Sequence, residues 1–396
     1  MIGDRIKRKR QAQGLSLQDL ADLLEGLGIK LSRAALSSYE MKKSSPNAKT
    51  LWGIAKILDT TMDYFLVDGE AEIVLLGFRK KASLSQTKVE QIRSYIYDEI
   101  EKRIELDSIL GEEAPQDSPV QRMVSSPDEA EDVAIEQRNK WKLGDQPIAS
   151  VTSLLEAKGW YVLHIPDEQN FDGMAGYIES TRRPFVVSRL GITADRIRLN
   201  LLHEAGHAFV AAQDDKASEK AAFRFAASFL YPRERVWEEF GRKRTSVDVE
   251  ELLVAKARYG LSMQAIVYRL RDLDVISESH YILMCRYFSG MGFRVEEPGS
   301  SELKFEESPM IFKRKVHRAL SEGLISSSDA ERFLPGFRPS LNSPARLSSL
   351  EIKRLLSLSS AERDKVLEAS AQSALEIYAD PEVNISGAVD DIIEYS

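Results

Sequence analysis

Two histidines four positions apart with an acid between them, His203-Glu204-Ala205-Gly206-His207, are the residues of this chain best suited to hold a metal. On an α-helix, positions i and i+4 sit one turn apart on the same side, so both imidazoles can reach one ion. Glu204 projects beside them and can touch a water on the metal without ligating. Zinc lowers the pKa of such a water to roughly 7, and a carboxylate at this place can take its proton and pass it to a leaving amine. Chance supplies His-acid-x-x-His in roughly one chain in a hundred of this composition, so two surface histidines on a helix are the alternative to weigh. The flanks argue against it. Leu201-Leu202 precede the segment and Ala208-Phe209-Val210 follow, which puts the helix inside a fold.

A catalytic zinc needs a third protein ligand. A helix expected over 217–230 offers Glu219, and its small residues Ala222 and Ala226 continue the same face and permit close approach. Asp214 and Asp215 are nearer in sequence, but they fall in the expected interhelical loop and rank below Glu219. The single cysteine, Cys285, excludes a multi-thiolate zinc site and an intramolecular disulfide framework, and it fits a reducing cytoplasm. His164 ending a strand, His280 in a polar turn and His317 on a basic helix are assigned structural roles.

The elements that must position these residues follow from periodicity. Residues 193–213 read as an amphipathic helix capped by Thr193, with Ile197, Leu201, Ala205, Ala208 and Phe209 facing a core. Strands are expected over 160–165, 174–178 and 184–188. Ser126-Pro127-Asp128-Glu129 starts a helix, and mostly helical structure continues to about residue 335. This is an α+β arrangement. Residues 111–125 have two prolines and no period, which predicts a flexible linker. Before it, Ile92, Ile96, Ile100 and Ile104 line one face of a helix expected over 87–110, for docking on a neighbouring domain or, alternatively, for a homodimer contact. Residues 338–346 read as a second loop, followed by a helix over 360–378 and an acidic end.

At 396 residues, 43% hydrophobic and 29% charged, the chain has the make-up of a soluble protein of two or three domains. No apolar run is long enough for a bilayer, and the basic N-terminus lacks the apolar core of a secretory signal, so a cytoplasmic location without membrane contact is expected. The net charge of −8 is uneven. Residues 1–66 hold eleven Lys/Arg and seven Asp/Glu, a net +4 that leaves −12 for the remainder. A basic head on an acidic body suggests that the head alone meets a polyanion.

That head reads as five short helices over 3–13, 17–24, 32–39, 48–58 and 62–66, with Ser16 and Ser32 as N-caps and Gly14 as a stop. The second and third fit a helix-turn-helix with Leu17, Leu20, Ala21, Ala35, Leu36 and Tyr39 between them. Gln18, Arg33, Ser37 and Ser38 are then left for a groove of double-stranded DNA, and Lys42 and Lys43 for phosphates. The stretch resembles the XRE (Cro/C1-type) repressor family. It departs from that pattern in a longer connection over 25–31 and in Leu17, where a polar residue is common.

Trp141-Lys-Leu-Gly, Phe171-Asp-Gly, Pro184-Phe-Val-Val, Arg198 through His207, Glu219 through Pro232, and Tyr259-Gly-Leu-Ser occur in order. Over about 126–335 the chain resembles the ImmA/IrrE zinc metallopeptidases. The resemblance implies Zn2+ on His203, His207 and Glu219, Glu204 as general base, and cleavage of a repressor-type transcription factor. Phe223 stands where that family usually has asparagine.

The expected architecture is multidomain. An all-α helix-turn-helix head (1–68) precedes a helical connector and linker (69–125). An α+β zincin-like peptidase domain with a mostly helical C-terminal part (126–340) and a helical acidic tail (341–396) follow. The tail faintly resembles small antitoxins. The leading expectation is a zinc endopeptidase coupled to DNA binding. The alternatives are a non-proteolytic zinc- or ligand-responsive regulator and an antitoxin-type partner protein.

Overall fold

The computed structural model describes residues 2–60, 62–66, 72–80, 85–115, 117–165, 171–300 and 302–337; the loop, helix and acidic end expected beyond residue 338 lie outside these. The head comprises α1 (Ile2–Ala12), α2 (Leu17–Gly26), α3 (Arg33–Glu40), α4 (Ala48–Ile57) and α5 (Met62–Leu66). Ser16 accepts from the Asp19 amide and Ser32 from the Ala35 amide, so both expected caps form. Leu20, Leu24, Leu36, Ile54 and Phe65 close its core. The long α2–α3 connection is held by Ile29, which packs against Gly53; a Cβ at Gly53 would collide with it.

Two elements join head to body. Strand β1 (Ile73–Lys80), which the sequence reading assigned to a helical connector, is instead an edge strand, and α6 (Gln86–Leu110) matches the expected helix. One face of α6 buries Val89, Ile92, Ile96 and Ile100 against Leu163, Phe171, Met174 and Phe185, so the docking reading of its apolar stripe holds. Its opposite side receives α1. Arg8 bonds Glu101 at 2.6 Å, Lys9 pairs with Asp98, and Ser94 donates to Gln11.

Residues expected as a flexible linker are held instead. Without helical period, the stretch pairs through its backbone at 122–124, where the Arg122 and Val124 amides donate to the Phe209 and Ala211 carbonyls. Ser118 donates to the Arg182 carbonyl, and β2 (Arg122–Met123) pairs with a short strand of the body. Next come α7 (Pro127–Lys140), α8 (Val151–Ala157), β3 (Tyr161–Ile165), β4 (Phe171–Ile178) and β5 (Pro184–Arg189). The sheet order is β1-β4-β5-β3, with β3 parallel to β5 and the other pairs antiparallel. With α6 on one face, the other is covered by α9 (Ala194–Gly206), whose Leu201, Leu202 and Ala205 enter the main core. The helix stops at Gly206 rather than at residue 213: amides 207–209 tighten to i−3 bonds, and β6 (Val210–Ala211) then pairs in parallel with β2. Then α10 (Asp215–Leu230) returns across α9.

Six further helices complete the described chain: α11 (Arg233–Phe240), α12 (Val249–Tyr259), α13 (Met263–Asp272), α14 (Glu278–Gly290), α15 (Ile311–Ser321) and α16 (Ser327–Phe333). His280 thus lies in the first turn of α14, not in a loop. Among the described residues no helix is long and apolar enough to cross a membrane.

Candidate metal centre and nucleic-acid interface

The centre is built where α9 and α10 cross. Gly206 lets them approach: a Cβ there would lie 3.2 Å from the Ala222 carbonyl oxygen and 3.3 Å from Phe225. Behind α10, Glu131 of α7 receives Arg269 at 2.6 and 3.0 Å and Arg224 at 2.7 Å, all buried. Burial opposes ionisation of Glu131, yet Arg269 and Arg224 hold its carboxyl below the usual range. The N-terminal half of α9 is fixed by Arg198, which is fully buried on Glu307 at 2.7 Å and donates to the Ile148 carbonyl. Arg198 and Arg224 belong to stretches that carried the family resemblance.

On this frame His203 and His207 stand at α9's last turn with ring centroids 5.0 Å apart. Their Nε2 atoms lie 3.2 and 3.4 Å from the two carboxylate oxygens of Glu219. One ligand atom from each of the three falls within 4.8 Å of the others. Hydrogen bonds from His203 and His207 hold the Glu219 carboxyl well below the ordinary carboxylate range. Both histidines are buried and Glu219 is partly open, so the group is closed on the protein side and accessible on the other. Asp214 is the N-cap of α10, accepting from the Ala217 amide at 2.8 Å, and Asp215 opens its first turn. Neither joins the group.

Glu204 is fully buried beside these residues. Strand β4 passes directly over it at Gly173. Gly173 was present in the quoted Phe171-Asp-Gly run, but its steric role could be found only from the β4–α9 packing. Two other neighbours are Gln121, which was not singled out in the sequence, and Phe223, which was noted there as a departure from the family's asparagine. Gln121 donates to the His207 carbonyl at 2.6 Å, and the Phe223 ring lies 4.0 Å from that of His203.

In the head, Gln18, Arg33, Lys42 and Lys43 are exposed, and Ser37 and Ser38 are half-buried. Gln18 donates to Asp22, Ser38 accepts from Ser44, and Lys42 pairs with Asp4 at 2.7 Å. Much of the basic charge counted in the sequence is already engaged: besides Arg8 and Lys9, Arg10 forks onto Glu40 at 2.6 and 2.8 Å. The surface left for an anion is therefore narrower than a net +4 implies.

Residues 6–65 match the helix-turn-helix family and residues 159–271 the IrrE N-terminal-like domain. The head is also similar to two proteins of Bacillus subtilis (strain 168). One is the uncharacterized HTH-type transcriptional regulator YqaE, 36% identical over 81 residues, which are 20% of this chain and 66% of that protein. The other is the SPbeta prophage-derived uncharacterized HTH-type transcriptional regulator YonR, 36% identical over 75 residues, which are 19% of this chain and 65% of that protein. The chain thus spans just under two thirds of the length of these curated relatives. The five packed helices of the head thus carry the helix-turn-helix match over residues 6–65, and the α+β body with its His/Glu group carries the IrrE N-terminal-like match over residues 159–271.

Proposed function

We propose that the protein is a zinc-dependent endopeptidase coupled to a DNA-binding head, a cytoplasmic switch that cleaves a repressor-type regulator of transcription. The observation that carries this is the convergence of His203, His207 and Glu219 with the buried Glu204 beside them. The donor set fits the ion: two imidazole nitrogens and one carboxylate oxygen, from His203, His207 and Glu219, are what a catalytic zinc takes. When bound, zinc supplies Lewis acidity that polarises a scissile carbonyl and makes water a nucleophile near neutral pH. Glu204 would serve as the general base and acid, holding a proton on a carboxylate oxygen between nucleophile and leaving nitrogen. A purely structural site would have no use for this carboxylate.

In the head, Arg33, Ser37, Ser38 and Gln18 are assigned to the groove, and Lys42 and Lys43 to phosphates. The similarity of the head to two proteins named as HTH-type transcriptional regulators supports this. The test compares wild type with Glu204→Gln: zinc content of the purified protein, and new protein termini across the proteome of cells carrying each. Equal zinc and loss of a small set of termini, within transcription regulators, are expected. Identical termini from both proteins would overturn peptidase action. Metal-dependent DNA binding unaffected by the substitution would then favour a non-proteolytic regulator.

A further inference from the structure

Phe223 lies one turn beyond Glu219 on α10, on the side that meets α9. Its ring centroid is 4.0 Å from that of His203, tilted by 46°. His203 is fully buried, whereas Phe223 keeps 38% of its surface exposed. The ring therefore packs on an imidazole of the metal group while more than a third of its surface stays exposed. A single exposed aromatic is ordinary on a protein surface. This one differs because it packs on the His203 imidazole and stands one helical turn from Glu219 on the same helix.

We propose that Phe223 is a specificity-determining residue: its ring forms an apolar shelf that receives a large apolar or aromatic side chain next to the scissile bond. The inference rests on the metallopeptidase reading above and deepens it by naming the substrate class. Polypeptides with a small or charged residue at that place leave the shelf wet and bind less well. Aromatic pairing and the burial that accompanies it supply about fivefold in affinity.

The experiment uses the full chain loaded with cobalt(II) in place of zinc, whose visible spectrum reports ligands entering the open position. Acetohydroxamate and 3-phenylpropanohydroxamate are titrated against wild type, Phe223→Leu and Phe223→Ala. The phenyl compound should bind wild type about fivefold more tightly than acetohydroxamate. That ratio should fall partway in Phe223→Leu and towards one in Phe223→Ala, while the unliganded cobalt spectra stay alike. Acetohydroxamate binding with a phenyl preference unchanged in both variants, or with none in wild type, overturns the shelf and leaves the metal reading standing. If the protein takes up no cobalt, or acetohydroxamate leaves the spectrum unmoved, the metal reading falls and the shelf with it.

Discussion

A Cβ built on Gly173 would lie 2.5 Å from Cγ of Glu204, so β4 crosses the buried carboxylate with no room for even a methyl group. The strand thereby limits where the Glu204 side chain can lie. Gly173→Ala must therefore displace either the strand or the carboxylate. A misplacement of about 1 Å costs on the order of 100-fold in rate. We expect Gly173→Ala to keep its zinc, measured by elemental analysis, and to lose cleavage by about that factor. A variant as active as wild type would show that β4 does not position the base.

How much of this could be read from the sequence follows from distance along the chain. His203, Glu204 and His207 were legible because one helical turn fixes their relation, and Glu219 because the next helix brings it back onto the same face. The end of α9 was misjudged although Gly206 was visible. Its small size serves the approach of α10 while the chain turns to pair with β2, and neither demand shows in local periodicity. Strand β1 was missed because pairing with β4, which depends on distant residues, decides its state. The charge of the head was countable, but not that Glu101, Asp98 and Glu40 already engage Arg8, Lys9 and Arg10.

Glu219 and Asp214 provide a paired test of the ligand set. Even partners outside the ligand shell change metal affinity by about 10- to 100-fold, and removing a ligand should exceed that. Glu219→Ala is therefore expected to weaken zinc binding by more than about 100-fold in a competition titration with a chelator. Asp214→Ala should leave zinc affinity unchanged and instead lose about 1 kcal/mol of stability as its cap on the Ala217 amide disappears. The reverse pattern would move the third ligand to the loop.

The junction between head and body depends on Lys9 and Asp98, both buried, with Lys102 3.4 Å from the same carboxylate. Removing one member of a buried pair leaves an uncompensated charge and costs about 3–5 kcal/mol, whereas replacing both with apolar residues is often neutral. Asp98→Ala should therefore lower the urea midpoint and speed amide hydrogen exchange in α1 and α6 together. Lys9→Met combined with Asp98→Leu should restore most of both. Exchange confined to α6 in Asp98→Ala would mean that the pair does not hold α1 in place.

His164 makes a prediction about acid. Neither of its buried ring nitrogens has a hydrogen-bond partner among the described residues, and it sits opposite Ser188 of β5. Burial pushes the imidazole from its ordinary 6.5 down to about 4, opposed only in part by the charge of Glu307. As pH falls below 6.5 the unfolded chain takes up a proton that the folded chain refuses until about pH 4. Stability is then lost progressively across that window, by on the order of 3 kcal/mol at its lower end. Urea unfolding at pH 7.5 and 4.5 should reveal this loss in wild type on top of whatever the other groups contribute. In His164→Leu, where no proton can bind, the drop between the two conditions should be smaller by about 2 kcal/mol. Equal drops in both proteins would show that His164 finds a way to be protonated inside the fold.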